Sequence, residues 1–330
     1  MYLELFIPLL LSFSVTFFIM GYWIKRAKTA GLTGKDMHKI NKPEVAESGG
    51  IPVVLGFLIG ALFYIGMETF FFHQTTKNLE MMVALVTVLI ATFIAFIDDI
   101  LGWKAGLRQW QKPIALLLAA IPLAVVNSGI AIISLPFLGL VNLGTVFPLL
   151  IIPIAVTGAA NGFNILAGYN GLETGMGIMI LTTLGFVAWL NEESWVTVVA
   201  LCMVAALIAL YYYNKYPAKV FPGNILTYSI GALIAVVAIM GNMERIALIL
   251  FTPYFIEFML KARGKFKKES FARVLKDGSL IQPYNRFYGL EHIAVALQRG
   301  IRGKAYEKEV TYTIFLIELM IIALIFLFMP

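Results

Sequence analysis

The stretch MMVALVTVLIATFIAFIDD, residues 81–99, determines the architecture of this chain. Residues 81–97 carry no charge and are numerous enough for a membrane-spanning helix. Asp98 and Asp99 follow at once, so we expect them at a helix C-terminus, where the helix dipole disfavours anions, and at the hydrocarbon edge, where an unpaired charge is costly. Two acids there need a cation, and Mg²⁺ is favoured because one or two carboxylates plus substrate phosphates commonly bind it. The alternative is that both residues merely cap the helix at the interface.

Composition places the chain among polytopic membrane proteins rather than soluble ones. Hydrophobic residues make up 60% and charged residues 13% of the chain, and the mean hydropathy is +0.86. The single cysteine, Cys202, excludes a disulfide framework. The N-terminal residues 1–23 have no basic region and no cleavage site, so they predict a first membrane helix rather than a signal peptide.

Hydropathy predicts an all-α polytopic membrane protein with about ten spans in one domain, residues 1–330. Prolines 113 and 122 punctuate the fourth span, and the apolar segment 130–136 is too short to cross, so it predicts a hairpin or an interfacial strand. The predicted spans are residues 2–24, 50–72, 80–97, 113–127, 145–163, 174–190, 195–213, 224–241, 245–261 and 309–329.

The basic residues predict the orientation of these spans. Of the 25 lysines and arginines, all but Lys77 and Arg245 lie in four loops with their helix flanks. The positive-inside rule puts those loops in the cytoplasm and both termini outside. The loops are residues 25–49, 98–112, 214–223 and a long basic loop at about 262–308. Because the net charge of +6 follows from this rule, it needs no nucleic-acid partner.

Further segments on the predicted cytoplasmic face have polar residues in patterns typical of ligand binding. Residues 161–173, NGFNILAGYNGLE, indicate either irregular backbone close to a ligand or a polar turn with a glycine cap. Residues 218–227, AKVFPGNILT, lead into a span whose N-terminus suits an anion, while Phe221 suits stacking on a base. Lys112 suits either an anion beside the metal or snorkelling at the interface.

These motifs together resemble the polyprenyl-phosphate N-acetylhexosamine-1-phosphate transferase family. The resemblance rests on ESGGIP at 47–52, the acidic pair at 98–99, NxxNxxxGxNGLE at 161–173 and VFPGN at 220–224, in that order on one face. The loop looks more like that of the eukaryotic and archaeal branch, which makes GlcNAc-diphosphodolichol, than the TDGLDGL string of bacterial cell-wall enzymes. The histidine-rich motif of the bacterial branch is absent, and His292 stands alone as a structural residue.

The resemblance implies an enzyme of the cytoplasmic membrane, with its active site facing the cytoplasm. It would transfer GlcNAc-1-phosphate from UDP-GlcNAc to a polyprenyl (dolichyl) phosphate and release UMP, the first step of lipid-linked oligosaccharide synthesis for protein N-glycosylation. The implied cofactor is Mg²⁺, with Mn²⁺ as the alternative, and a homodimer is a further expectation. The resemblance implies catalytic roles for Asp98, Asp99 and Lys112, metal binding by Asp98, Asp99, Asn164 and Asn224, and substrate binding by Glu47, Asn164, Gly168, Asn170, Glu173, Phe221, Arg263 and Lys265.

One position departs from the family pattern. The turn usually ends in an aspartate that binds Mg²⁺, whereas this chain has Asn224. An amide oxygen can still bind a hard cation, but it adds no charge. Alternatively, Asn224 serves only as the N-cap of the eighth span.

Other functions fit the sequence as alternatives. A transferase of another UDP-HexNAc or of phospho-MurNAc-pentapeptide, for cell-wall polymers, would use the same motifs. A transporter could use intramembrane acids as a proton relay, with Glu257 and Glu318 as the carboxylates inside predicted spans on the lower-charge stretches, but the charged segments lie at the predicted cytoplasmic ends. A non-catalytic lipid-binding scaffold would be favoured if Asn224 prevented metal binding. For the enzyme, a single in-line displacement is preferred to a covalent aspartyl intermediate.

Overall fold

The described residues are mainly helical, with three small hairpins. The computed structural model describes residues 2–105, 107–135 and 139–328. The helices are α1 (Tyr2–Thr29), α2 (Gly50–Phe70), α3 (Asn78–Ala105), α4 (Gln111–Leu116), α5 (Ile121–Val125), α6 (Ile152–Ile165), α7 (Leu172–Leu190), α8 (Ser194–Asn214), α9 (Gly223–Met240), α10 (Glu244–Leu250), α11 (Thr252–Arg263), α12 (Leu290–Arg302) and α13 (Glu307–Phe328). The antiparallel hairpins pair β1 (Thr33–Lys35) with β2 (Glu44–Ala46), β3 (Ile132–Leu135) with β4 (Gly139–Asn142), and β5 (Arg273–Val274) with β6 (Leu280–Ile281).

Eight helices within the described residues are long and apolar enough to cross a membrane, which agrees with a polytopic membrane protein. They are Phe6–Thr29, α2, Asn78–Leu101, Phe147–Ile165, α7, α8, α9 and α13. The span Phe147–Ile165 begins with a π-helical turn, Phe147–Ile151, that continues directly into α6.

The predicted fourth and ninth spans do not form continuous long helices. The fourth, 113–127, consists of α4, a 3₁₀ turn at Leu117–Ala120 and α5, which together cover only Gln111–Val125. The ninth, 245–261, divides into α10 and α11 on either side of Phe251, with Pro253 in the first turn of α11. Proline has no N–H group for the helical ladder and its ring crowds the preceding turn, so helices tend to restart there. Hydropathy alone counted both segments because it registers apolar length and not helix continuity.

The predicted end of the third span is also wrong. Helix α3 continues to Ala105, so Asp98 and Asp99 lie within its last two turns and not at its C-terminus. The helix dipole therefore disfavours these acids less than the sequence argument assumed, and their partners come from other helices.

Helix α9 is the centre of the bundle and carries the N-terminal end that organises the site. It packs against α2, α3, α6, α7 and α8. It approaches α6 closely, since a Cβ on Gly231 would lie 2.4 Å from the carbonyl oxygen of Ala159. Small residues permit such contact between membrane helices. Because of this packing, the start of α9 meets the ends of α3 and α6 at one end of the bundle.

The segment 130–136 contributes to the hairpin β3–β4, in which Ile132 is paired with Asn142. The hairpin alternative is therefore confirmed for its described residues, and residues 136–138 lie outside them.

Candidate active site

A cavity of about 630 Å³ opens where the ends of α3 and α6 meet the start of α9. Its volume lies in the range of small-molecule sites. The cavity is lined by the β1–β2 region, the loop between α6 and α7, the turn before α9, and residues after α11. The sequence-predicted residues in its wall are Glu47, Asp99, Asn164, Gly168, Asn170, Glu173, Phe221 and Asn224.

The first and fourth motifs, at 47–52 and 220–224, are joined by backbone hydrogen bonds. The Phe221 N–H donates to the Ala46 carbonyl at 2.7 Å, and the Gly49 N–H donates back to the Phe221 carbonyl at 2.9 Å. The Gly50 N–H donates to the Pro222 carbonyl at 2.9 Å. A Cβ on Gly50 would lie 2.5 Å from the Leu226 nitrogen, so the approach requires glycine. Phe221 is thereby held in the cavity wall.

Asp99 accepts hydrogen bonds from the first turn of α9. Its Oδ1 receives the Asn224 N–H and its Oδ2 the Ile225 N–H, both at 3.2 Å. A helix N-terminus favours anions because its first N–H groups lack helical partners. Gly223 has a φ of +75°, and a Cβ there would lie 2.6 Å from the Asp99 Oδ2. The glycine therefore leaves the space that this carboxylate occupies.

Asp98 is buried behind the cavity and has three partners. Its Oδ1 accepts the Leu107 N–H at 2.8 Å. Its Oδ2 accepts the Asn224 side-chain amide at 2.9 Å and lies 2.6 Å from the Lys112 ammonium nitrogen. Lys112 therefore supplies a cation for Asp98, although it is not among the residues lining the cavity.

Asn224 does not act as an N-cap, so that alternative is wrong. Helix α9 begins at Gly223 with Pro222 in the capping position, and its start has no side-chain cap hydrogen bond. The Asn224 side chain instead contacts Asp98 of α3. Because its nitrogen is used in this contact, its Oδ1 is the atom left to act as an oxygen ligand.

Asn164 lies in the last turn of α6, so the irregular backbone is shorter than the sequence predicted. The helix ends at Ile165 and α7 begins at Leu172. The Asn164 Oδ1 accepts a hydrogen bond from the Thr227 hydroxyl at 2.9 Å, which links α6 to α9. Asn161 instead donates to the Thr157 carbonyl of its own helix at 2.9 Å.

A hydrogen bond between Gly168 and Glu173 stabilises the loop between α6 and α7. Gly168 has a φ of +103°, which favours glycine, and its N–H donates to the Glu173 Oε1 at 3.0 Å. Glu173 is buried in the first turn of α7. Although Glu173 lines the cavity, one of its oxygens therefore holds the loop conformation.

The basic residues near the cavity are not the two that the sequence singled out. Arg263 and Lys265 do not line it, whereas Lys35, Lys261 and Lys268 do. The Lys261 ammonium lies 3.4 Å from the Glu257 carboxylate. That i,i+4 spacing on α11 is the signal from which Lys261 could have been found.

Two titratable residues of α12 lie against this cation. Burial, with the nearby Glu257 carboxylate, raises the pKa of Glu291 well above its usual value. Burial and the Lys261 charge lower the pKa of His292 to about 4. His292 is therefore neutral near pH 7, and its Nδ1 accepts the Tyr288 N–H at 3.3 Å. Since it does not line the cavity, these contacts agree with a structural role.

The donor atoms around the cavity are of the kind that a hard divalent cation requires. Asp99, Asn164 and Asn224 present carboxylate and amide oxygens, with the Asp98 carboxylate adjoining them. Mg²⁺ takes oxygen ligands and is usually completed by water and substrate phosphates. The residues present therefore fit Mg²⁺ chemically.

Comparison with known proteins gives a consistent result. Residues 81–242 match glycosyl transferase family 4. A protein of Saccharolobus solfataricus is 36% identical over 90% of this chain and 89% of its own length, and one of Sulfolobus acidocaldarius is 33% identical over 98% of this chain and 96% of its own. Both have the provisional name UDP-N-acetylglucosamine–dolichyl-phosphate N-acetylglucosaminephosphotransferase. A Dictyostelium discoideum protein bearing that name without qualification is 27% identical over 70% of this chain and 64% of its own length.

Proposed function

Since this chain belongs to glycosyl transferase family 4, we propose that it transfers GlcNAc-1-phosphate from UDP-GlcNAc to a polyprenyl phosphate of the dolichyl type. The products are GlcNAc-diphosphate-polyprenol and UMP. The observation that carries this proposal is the convergence of Asp99, Asn164 and Asn224 on one cavity, with the Asp98–Lys112 pair directly behind them. The names of the relatives from Saccharolobus solfataricus and Sulfolobus acidocaldarius support the same donor and acceptor.

The reaction exchanges one phosphorus–oxygen bond for another. An oxygen of the lipid phosphate forms a bond to the phosphorus that carries the sugar. The bond from that phosphorus to the oxygen bridging it to the uridylyl phosphate breaks, and UMP leaves with the electron pair. Both reactants are anions, so the protein must reduce their repulsion and align them.

The chain's own residues can meet these requirements. Asp99, Asn164 and Asn224 would hold Mg²⁺, with Asp98 contributing charge, and bound Mg²⁺ would neutralise the diphosphate as UMP departs. The N-terminus of α9 holds Asp99 in a fixed position. Lys112 pairs with Asp98 and would add positive charge behind the residues that hold the metal.

The proposed function includes an orientation. We place this cavity on the cytoplasmic face of the membrane and both termini outside, because the basic loops surround the cavity. A UDP-sugar would then enter from the cytosol, while the lipid phosphate would reach the same end of the bundle from the bilayer.

The experiment is a transfer assay with purified protein in lipid. UDP-GlcNAc labelled in the sugar, dolichyl phosphate and Mg²⁺ are combined, and the lipid product and released nucleotide are identified. The expected result is a labelled lipid diphosphate with UMP in equal amount. Release of UDP would refute a phosphotransferase and indicate a glycosyltransferase that moves the sugar alone. UDP-GalNAc and UDP-MurNAc-pentapeptide serve as competing donors for the alternative sugars.

A further inference from the structure

Asn170, in the cavity wall, is held by residues from opposite ends of the chain. Its backbone N–H donates to the Glu307 Oε1 at 2.9 Å, and Glu307 begins α13. Its side-chain Nδ2 donates to the Asp36 Oδ2 at 3.1 Å, and Asp36 lies between β1 and β2. All three residues are at most 5% exposed.

The contact with Asp36 determines which way the Asn170 amide faces. An ionised carboxylate can only accept hydrogen bonds, so the amide must turn its nitrogen towards Asp36. The Asn170 Oδ1 receives no hydrogen bond from the described residues, and Asn170 lines the cavity. The amide therefore offers the cavity a hydrogen-bond acceptor.

Lys39 forms ion pairs with the acidic residues that surround Asn170. Asp36, His38 and Glu307 come close enough together to suggest a metal site. However, the Lys39 ammonium already pairs with the Glu307 carboxylate and lies 3.3 Å from the Asp36 Oδ2. The His38 Nε2 accepts the Ala272 N–H, so the proton of a neutral His38 is on Nδ1, the atom that faces Glu307 at 3.7 Å. With its cation supplied by Lys39 and its imidazole nitrogen protonated, the cluster is a support for Asn170 and not a metal centre.

Building on the proposed function, we propose that Asp36 is a positioning residue for nucleotide specificity. It holds the Asn170 Oδ1 as a hydrogen-bond acceptor in the wall of the cavity, where the uracil of UDP-GlcNAc would bind. A fixed acceptor suits uracil, whose N3 carries a hydrogen. It disfavours cytosine, whose N3 is itself an acceptor. Without Asp36, the amide can rotate in either direction. Its oxygen would accept a hydrogen bond from the uracil N3–H, or its nitrogen would donate one to the cytosine N3, so both bases could bind.

Inhibition by the nucleotide monophosphates tests this positioning role. The inhibition constants of UMP and CMP are measured for wild-type protein, Asp36→Ala and Asp36→Asn, together with KM for UDP-GlcNAc and for dolichyl phosphate. In Asp36→Ala, the preference for UMP over CMP should fall about tenfold, in line with the loss of one oriented hydrogen bond. KM for UDP-GlcNAc should rise while KM for dolichyl phosphate stays unchanged.

Asp36→Asn is the conservative variant. Its amide oxygen can still accept the Asn170 Nδ2, so it should keep most of the UMP preference although it lacks the charge. Asp277→Ala is the matched control, because Asp277 is an exposed aspartate paired with Lys304 at 2.8 Å, away from the cavity. If Asp36→Ala does not accumulate in the membrane, Asp36→Ser provides the same comparison, since its hydroxyl is too short to reach Asn170.

The outcomes separate the two proposals. An active wild-type enzyme that prefers UMP, with the same preference in Asp36→Ala, would overturn the positioning role and leave the transferase intact. An equal loss of preference in Asp36→Ala and Asp36→Asn would likewise overturn it, since charge and not orientation would then matter. A wild-type protein that neither forms the lipid diphosphate nor binds UMP would overturn both proposals.

Discussion

Asn224→Asp offers a quantitative test of the acidic site. The Asn224 amide nitrogen donates to the Asp98 Oδ2 at 2.9 Å, so the substitution exchanges a hydrogen bond to a carboxylate for a contact between two carboxylates. Loss of a hydrogen bond to a charged group costs about 1.5–3 kcal/mol. Repulsion between two unit charges at a separation of about 4 Å adds up to about 4 kcal/mol at an effective dielectric constant of about 20. Lys112 offsets part of this repulsion because it already pairs with Asp98.

We therefore expect Asn224→Asp to be less stable than wild type by about 2 kcal/mol or more when divalent cations are chelated, which combines the lost hydrogen bond with the residual repulsion. Added Mg²⁺ should reverse this loss, because the new carboxylate is a charged ligand for a hard cation. The half-maximal Mg²⁺ concentration for activity should fall below that of wild type.

The assay is thermal unfolding in EDTA and in Mg²⁺, paired with a Mg²⁺ titration of activity. Asn191→Asp is the control, since Asn191 is an exposed residue at the far end of α7. Equal unfolding temperatures in EDTA for wild type and Asn224→Asp would refute the contact with Asp98. Greater destabilisation that Mg²⁺ does not reverse would remove Asn224 from the metal site.

Two further predictions concern catalysis and topology. Asp99→Asn should lower turnover by roughly 10²-fold or more, as loss of an electrostatic catalytic group often does, while its abundance in the membrane stays unchanged. The control Asp277→Asn should retain activity. Wild-type turnover in Asp99→Asn would refute the metal-site assignment. For topology, single cysteines are introduced at Lys267 and at Asn191 in a Cys202→Ala background. An impermeant thiol reagent should label the cysteine at Lys267 only from the cytoplasmic side and the one at Asn191 only from outside. Labelling of both from the same side would contradict the orientation.

The parts of the fold and site that sequence could predict are those governed by local pattern. Long uncharged runs predict the eight helices of the described residues that can cross a membrane. The segment 130–136 is predicted to form either a hairpin or an interfacial strand, and its described residues form part of a hairpin. Hydropathy does not predict the break at Phe251, and it counts 113–127 as one span despite the prolines noted there, because it averages over prolines that interrupt the hydrogen-bond ladder. The predicted C-terminal limit of α3 is wrong because the charges of Asp98 and Asp99 end the apolar run but not the helix, which continues to Ala105.

Site residues that belong to a sequence motif could be predicted. Site residues that are brought together only by tertiary contacts could not. Asp99, Asn164 and Asn224 stand in motifs, and all three line the cavity. Asp36 and Glu307 belong to no such motif and come together because Glu307, the first residue of α13, contacts the segment between β1 and β2. A single sequence does not encode that proximity in any periodicity or spacing.

The backbone bonds between residues 46–50 and 220–222 have a consequence for recombination between relatives. The two segments are far apart in the gene, yet the backbone of 46–50 is hydrogen-bonded to the turn at 220–222. Gly50 also packs closely against the backbone nitrogen of Leu226. A chimera that exchanges only one of the two segments with a relative would join surfaces selected against different partners. Exchanging both together should restore assembly, so the two segments are expected to be inherited as a unit.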